Sequence, residues 1–400
     1  MQSLAHLEIP FFADAHRELA ARARTWSAQH LSAHAPVEDR AAVDTRCRQL
    51  VQDLGRAGFL QWCVRAQKDG AMRDFDVRSL ALLRETLAWH DALADFAFAM
   101  QGLGSAPICL AGSPALKARY LPGVATGSMI AAFALSEPQA GSDVAAMECF
   151  ARSADGDYLL DGCKTWISNG GIAHFYCVFA RTAAAKLRAD GSTHAAGISA
   201  FVVDADSPGL QIEKRIDALA PHPLATLRFT NCRVPAERRL GAEGTGFKLA
   251  LAALDIFRVS VAGAALGFAR RALDEALSHV RERRLFGQSL GDLQLTQGAL
   301  AEMATDLQSA TLLTYYAAWQ RDRGHIVTLE AAMAKMDATE AAQRIVDRAL
   351  QMFGGRGVEC GHIIERLYRD VRLLRIYEGA TDVQKLIIAR ALLKTPGGNP

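Results

Sequence analysis

Val43, Cys47, Leu50, Val51 and Leu54 recur at i, i+4, i+7, i+8 and i+11, one face of a helix that Gly55 and Gly58 are expected to end. Leu80, Leu83 and Leu87 continue the same period, and Gly112-Ser113-Pro114 and Pro122-Gly123 then read as turns. From about residue 129 to 235 the pattern shortens. Apolar runs at 129–135, 158–160, 175–180, 198–203 and 226–229 are separated by Asp155-Gly156, Asp190-Gly191 and Ser207-Pro208-Gly209. Short strands between turn formers predict a small antiparallel β unit. After Gly246 the helical period returns. Residues 247–283, interrupted only by Gly263 and Gly267, predict one helix about 55 Å long. Residues 292–322 and 329–353 predict two more long helices and 382–393 a shorter one, together a bundle. The expected plan is mainly α with a β domain. It has an N-terminal helical domain over 1–128, a middle antiparallel β domain over 129–238 and a C-terminal helical bundle over 239–400, with a frayed tail at 395–400.

Composition narrows the function classes. Half of the 400 residues are apolar, enough for a sizeable core and too many for a disordered chain. Forty-five Lys and Arg against forty-three Asp and Glu leave +2, which excludes a strong nucleic-acid footprint. No run approaches the roughly 20 apolar residues that span a bilayer, so no membrane is expected. The charges at Glu8, Asp14, Arg17, Glu18, Arg22 and Arg24 do not fit a signal peptide. Eight cysteines without a CxxC pattern suit neither a disulfide framework nor a metal site, and a reducing cytoplasm is the compartment they fit.

Four clusters carry candidate chemistry, each with a plainer reading beside it. In Ala134-Leu-Ser-Glu-Pro-Gln-Ala-Gly-Ser-Asp143 a strand runs into a loop of small and hydroxyl residues. Such a loop allows close backbone approach to a ligand, or it is an ordinary capped turn. In Asp161-Gly-Cys-Lys-Thr-Trp-Ile-Ser-Asn-Gly170 two turn dipeptides bracket a Trp, which reads as a hairpin with a core Trp or as an aromatic wall for a flat cofactor. Arg283-Arg-Leu-Phe-Gly287, followed by Gln294, is a helix C-terminus or a phosphate-binding arginine. Gln351-Met-Phe-Gly-Gly355 is followed by Arg369-Asp370 and by Ile376-Tyr-Glu-Gly379. Glu378 there is a solvated loop residue, or a carboxylate whose partly apolar pocket makes it a general base.

The order and spacing of these clusters resemble the acyl-CoA dehydrogenase family over about residues 40–393. Residues 134–143 resemble its first signature, and 162–170 its Gly-x-Lys-x-Trp-Ile-Thr/Ser-Asn-Gly segment. Residues 283–287 match its Arg-x-x-Phe-Gly run, 351–355 its Gln-x-x-Gly-Gly turn, and 369–379 its C-terminal signature. The resemblance implies an N-terminal helical domain, a β domain and a C-terminal four-helix bundle, with FAD bound between the last two. It also implies a homotetramer, or a homodimer. It places Phe133, Leu135, Ser136, Gly141 and Ser142 along the flavin, and Trp166, Ile167 and Ser168 on another side of it. Arg283, Phe286, Gln294 and the Gln351, Phe353, Gly354 and Gly355 turn would hold the FAD tail of a neighbouring subunit, with Thr381 and Asp382 near the adenine. Ser142, Asp255, Phe257, Arg258 and Gly379 would line the acyl-CoA.

The implied reaction is α,β-dehydrogenation of an acyl-CoA to the 2-enoyl-CoA. Glu378 would take the α proton, the β hydrogen would leave as hydride to flavin N5, and the electrons would pass to an electron-transfer flavoprotein. Some members carry the base on the long helix, where this chain has Phe257, whose bulk either reshapes the acyl site or belongs to the core. Three positions depart from the family pattern. Residues 219–225 replace a Gly-x-Arg segment, Ala380 replaces a Thr, and His174 replaces an Asp. Competing readings are an acyl-CoA oxidase, a monooxygenase or desulfinase of the same fold, and a non-catalytic flavin or acyl-CoA scaffold. Monooxygenases of this group lack the C-terminal Glu, so Glu378 argues against them.

Overall fold

A computed structural model describes residues 5–31, 39–64, 67–68, 71–72, 74–185 and 193–394. The Asp190-Gly191 turn and the tail at 395–400 lie outside the described residues. The helices before the sheet are α1 (Asp14–His30), α2 (Arg40–Arg56), α3 (Val77–His90), α4 (Ala92–Ala111) and α5 (Pro114–Thr126), with a small β1 (Gln67–Lys68) and β2 (Ala71–Met72) hairpin between α2 and α3. The strands that follow are β3 (Ala131–Ala134), β4 (Phe150–Ala154), β5 (Asp157–Ser168), β6 (Phe175–Arg181), β7 (Ile198–Asp204), β8 (Leu210–Arg215), β9 (Leu224–Val234) and β10 (Arg239–Leu240). Then come α6 (Gly246–Glu282), a β11 (Arg284–Leu285) and β12 (Gln288–Ser289) hairpin, α7 (Gln294–Asp322), α8 (Thr328–Phe353), α9 (Ile363–Leu374) and α10 (Thr381–Lys394). This is the helical, β and helical succession that the sequence predicts.

The chain forms two compact units. One comprises Met1–Pro36, Asp76–Asp95 and Asp255–Pro400, the other Val37–Phe75 and Phe96–Leu254.

In the second unit the expected stripe on α2 is buried throughout. Gly55 does not end that helix. It lies in the last turn because a Cβ there would come 2.1 Å from the Thr126 carbonyl oxygen, while Gly58, at φ +75°, takes the chain out. Pro122 and Gly123, expected in a turn, sit inside α5, which starts with Pro114 at its N-terminus and is capped by Ser113. The sheet is mostly antiparallel, in the order β10-β7-β6-β4-β5-β9-β8. It departs from the expected pattern at β6, with which β3 pairs in parallel along its length and β4 at Phe150 and Arg181. Its strands β4 and β8 were not legible as apolar runs, because their exposed positions are mostly polar.

The long α6 forms as predicted, and its residues from Asp255 onward belong to the first unit. Its two glycines are required by packing. A Cβ at Gly263 would lie 2.5 Å from the Ala81 carbonyl oxygen, and one at Gly267 2.3 Å from that of Glu85, so α6 crosses α3 at backbone distance. Contrary to the sequence expectation, two helices among the described residues, α4 and α6, are long and apolar enough to cross a membrane. The fold buries 89% and 83% of their most apolar windows, so they are core helices.

Glu85 anchors this unit. It accepts from Arg270 Nε at 2.6 Å and from the Tyr315 hydroxyl, and pairs with His6 at 3.2 Å. Burial alone would push its carboxyl up, but His6 and Arg270 outweigh burial and hold it at about 2. A carboxyl held below its unfolded value stabilises the fold above pH 4.5 and loses that contribution as pH falls towards 2. The amount is on the order of 3 kcal/mol. Melting temperature between pH 5 and 2 is therefore expected to fall more steeply for the native protein than for Glu85→Gln.

Candidate active site

The loop between α9 and α10 holds Glu378 at φ +53° and Gly379 at φ +91°. A left-handed backbone is strained for a residue as large as Glu. It persists because its carbonyls are clamped. Arg258 Nε donates to the Glu378 oxygen at 3.2 Å, and Lys335 Nζ and Gln384 Nε2 donate to the Gly379 oxygen at 2.7 and 2.8 Å. Gln384 also explains Gly379, since a Cβ there would meet Nε2 at 2.4 Å. Arg258 is itself fixed by Asp255 at 2.9 Å, and Asp255 accepts from Thr328 at 3.1 Å.

The Glu378 carboxylate is sealed from solvent, and neither oxygen accepts a hydrogen bond from any described residue. A buried unbonded carboxylate calls for a functional explanation. Burial pushes its pKa up, by more than Arg84, Lys335 and Arg258 pull it down. Lys335, wholly buried in the middle of α8, is itself pushed by burial down to about 7. The site therefore holds a carboxylate made more basic than usual beside cations that favour its charged form.

Arg84, Asp95 and Lys335 were missed in the sequence. Their signal was a charge inside an apolar stripe. Arg84 lies four residues after Leu80, between Leu83 and Leu87, and Lys335 lies among the buried Ala331, Ala332, Ala334 and Ala338.

The second unit assembles a different cluster. The β5–β9 pairing shifts register twice: β9 carries the extra residue opposite Asp161, and β5 bulges between Lys164 and Ile167. The Asp161-Gly162 pair therefore lies within a strand, opposite a bulge in β9, and is not the turn its composition suggests. The second bulge puts Trp166 at φ +55° and leaves it 53% exposed, so it is not a core Trp. The Thr165 N–H donates to the Ser136 oxygen at 3.0 Å, which brings this bulge onto the 134–143 loop. Buried Lys164 secures the same loop, with Nζ 2.9 Å from the Leu135 oxygen and 2.7 Å from Glu137. Phe133, Ser136 and Ser168 are half-buried at its rim, and Gly141 and Ser142 are exposed. Leu135 and Ile167 bury their side chains, which leaves backbone groups as what they offer a ligand. His174 ties β3 to β6, with Nδ1 accepting from the Ile130 N–H at 2.9 Å.

The remaining expected residues divide. Phe286 and Gly287 both have positive φ in the tight turn joining β11 and β12, and Phe286 is 90% exposed. Arg283, Gln294, Gln351, Gly354 and Gly355 are exposed as well. Phe353 stacks on His279, with ring centroids 4.1 Å apart. The Thr381 hydroxyl is held by Glu340 at 2.7 Å, while Asp382 is exposed. Phe257 is buried in α6. Among the described non-glycine residues at positive φ, Asp and Asn tolerate the left-handed region. The three that do not, Trp166, Phe286 and Glu378, all lie in the clusters singled out from sequence.

Comparison with known proteins identifies the family. The acyl-CoA dehydrogenase N-terminal, middle and C-terminal domain families match residues 13–128, 132–232 and 244–393. The chain is 36% identical over 386 residues to the probable acyl-CoA dehydrogenase fadE25 of Mycobacterium leprae, covering 95% of each. It is 39% identical over 348 residues to the mitochondrial short-chain specific acyl-CoA dehydrogenase of Rattus norvegicus, covering 86% of this chain and 82% of that one. Among solved structures, butyryl-CoA dehydrogenase from Megasphaera elsdenii superposes with a TM-score of 0.84 at 31% identity, over 96% of this chain and 99% of that one. A chain solved in work on the electron transferring flavoprotein of Acidaminococcus fermentans gives 0.85 at 32% identity, over 96% and 99%. The FAD complex of PigA gives 0.84 at 26% identity, over 95% and 98%. With three domain families matching in order along nearly its whole length, this chain belongs to the acyl-CoA dehydrogenase family, oxidoreductases acting on a CH–CH bond.

Proposed function

We propose that the protein dehydrogenates an acyl-CoA thioester to the 2-enoyl-CoA with Glu378 as the base. The carrying observation is the sealed, unbonded Glu378 carboxylate on a strained and clamped loop. FAD fits the residues present. Trp166 offers an exposed ring at a bulge fixed to the Ser136 loop, and Gly141 stands in open space where a ligand meets backbone. Phe133, Ser136, Ser142 and Ser168 with Trp166 would hold the flavin. When bound, it supplies the acceptor for the β hydrogen as hydride.

The chain's own work is the proton. Glu378 takes it from the α carbon, and its raised pKa brings it closer to the strength an α C–H demands. Arg258, Lys335 and Gln384 hold the Glu378 and Gly379 carbonyls, so the carboxylate does not swing away as it becomes neutral. The family resemblance assigns the Glu378 backbone N–H to the thioester carbonyl, where it stabilises an enolate-like transition state. The same resemblance supports an electron-transfer flavoprotein as acceptor and a homotetramer. The exposed Phe286 and Leu295 are the apolar side chains such an assembly would cover. A reducing cytoplasm, the compartment that cysteines without a paired pattern fit, belongs to the same proposal.

Anaerobic titration of the yellow protein with straight, branched, alicyclic and aryl acyl-CoA thioesters tests the reading. Bleaching of the visible flavin band by one class is expected and identifies the substrate. A fully loaded protein that no thioester bleaches would overturn it. Rapid reoxidation by air would favour an oxidase.

A further inference from the structure

Arg84 in α3 and Asp95 in α4 form an ion pair sealed from solvent. The fork is bidentate, with Nε to Oδ1 at 2.8 Å and Nη2 to Oδ2 at 2.9 Å. The third arm, Nη1, donates to Ser260 Oγ at 3.2 Å, and Ser260 donates to the Phe257 carbonyl at 2.7 Å. The next residue on α6 is Arg258, which grips the Glu378 carbonyl. Tyr377, the neighbour of the base, is within reach of Arg84 as well. Stability alone does not account for such a pair, since apolar residues of similar volume commonly serve a buried site as well or better.

We propose that the Arg84–Asp95 pair is a positioning device for the base: it sets the electrostatic potential at the Glu378 carboxylate, with Asp95 partly cancelling Arg84 so that Glu378 stays basic enough to take an α proton. This rests on the reading of Glu378 as the base. The charged groups facing that carboxylate are Arg84 from α3, Asp95 from α4, Arg258 from α6 and Lys335 from α8. Asp255 already neutralises Arg258, and Glu340 faces Lys335. Arg84 is first among the cations pulling the carboxyl down, and Asp95 opposes it. Without Asp95 a full buried positive charge would act on the base. Glu378 would then be ionised over a wider pH range but would be a weaker base.

Two readouts test this on the holoenzyme. One is the acid limb of the pH profile for flavin reduction by a bleaching thioester. The other is the infrared band of the protonated Glu378 carboxyl, identified by its loss in Glu378→Gln. Asp95→Asn should move both midpoints down by about one pH unit, and Arg84→Met should move them up by about as much. A purely structural pair would not shift two variants in opposite directions. Where Arg84→Met does not fold, Arg84→Lys with Asp95→Asn keeps the cation, removes only the opposing charge and should again lower the midpoint. Unmoved midpoints, or shifts in the same direction, would overturn the proposal. Survival of the limb and the band in Glu378→Gln would instead overturn the base itself.

Discussion

Glu378→Gln is expected to leave a folded yellow protein whose flavin is reduced by an acyl-CoA about 10⁴-fold more slowly, the upper end of what a general base supplies. Three features make the variant clean. The side chains are nearly isosteric. The carboxylate oxygens make no hydrogen bond to any described residue that the amide could lose. The loop is held through the Glu378 and Gly379 carbonyls, which the substitution leaves in place. Stopped-flow bleaching under anaerobic conditions reads the rate, and absorbance reads flavin content. Reduction at the normal rate would mean that another group takes the proton.

Lys164→Met should cost about 3–5 kcal/mol in urea unfolding, the range for breaking one partner out of a buried ion pair. Lys164 is wholly buried and reaches both the Leu135 carbonyl and Glu137. Its loss strands the Glu137 carboxylate, although the Glu148 and Cys149 N–H groups still donate to it at 2.6 and 3.0 Å. Those two bonds keep the loss from exceeding the stated range. Because Lys164 ties the loop that carries Ser136, flavin content of the purified variant should fall too. A change below about 1 kcal/mol would show that the backbone donors alone hold Glu137.

The predicted helices at 247–283, 329–353 and 382–393 match α6, α8 and α10 to within one residue at each end, because a long amphipathic period is a local property of the chain. Helix α9 went unread although its buried face, Ile364, Leu367, Val371 and Leu374, is regular. At 12 residues, with charges between those positions, it is short enough to pass for a connection. Proline misled at α5, because Pro122 reads as a breaker while its neighbours Leu121 and Val124 are buried by tertiary packing.

The sequence alone determined the succession of helical, β and helical parts, the family, and the positions of Glu378 and the Trp166 segment. Each of these is written in local period or in motif spacing. Tertiary structure decided what those residues can do. Only the packed fold turns Glu378 to φ +53°, strips its oxygens of partners and sets buried Arg84 and Lys335 around it. Only strand register forces Trp166 outward at a bulge. The reason is physical: burial, charge proximity and register come from residues far apart in the chain, and no local pattern records which distant neighbour a side chain meets.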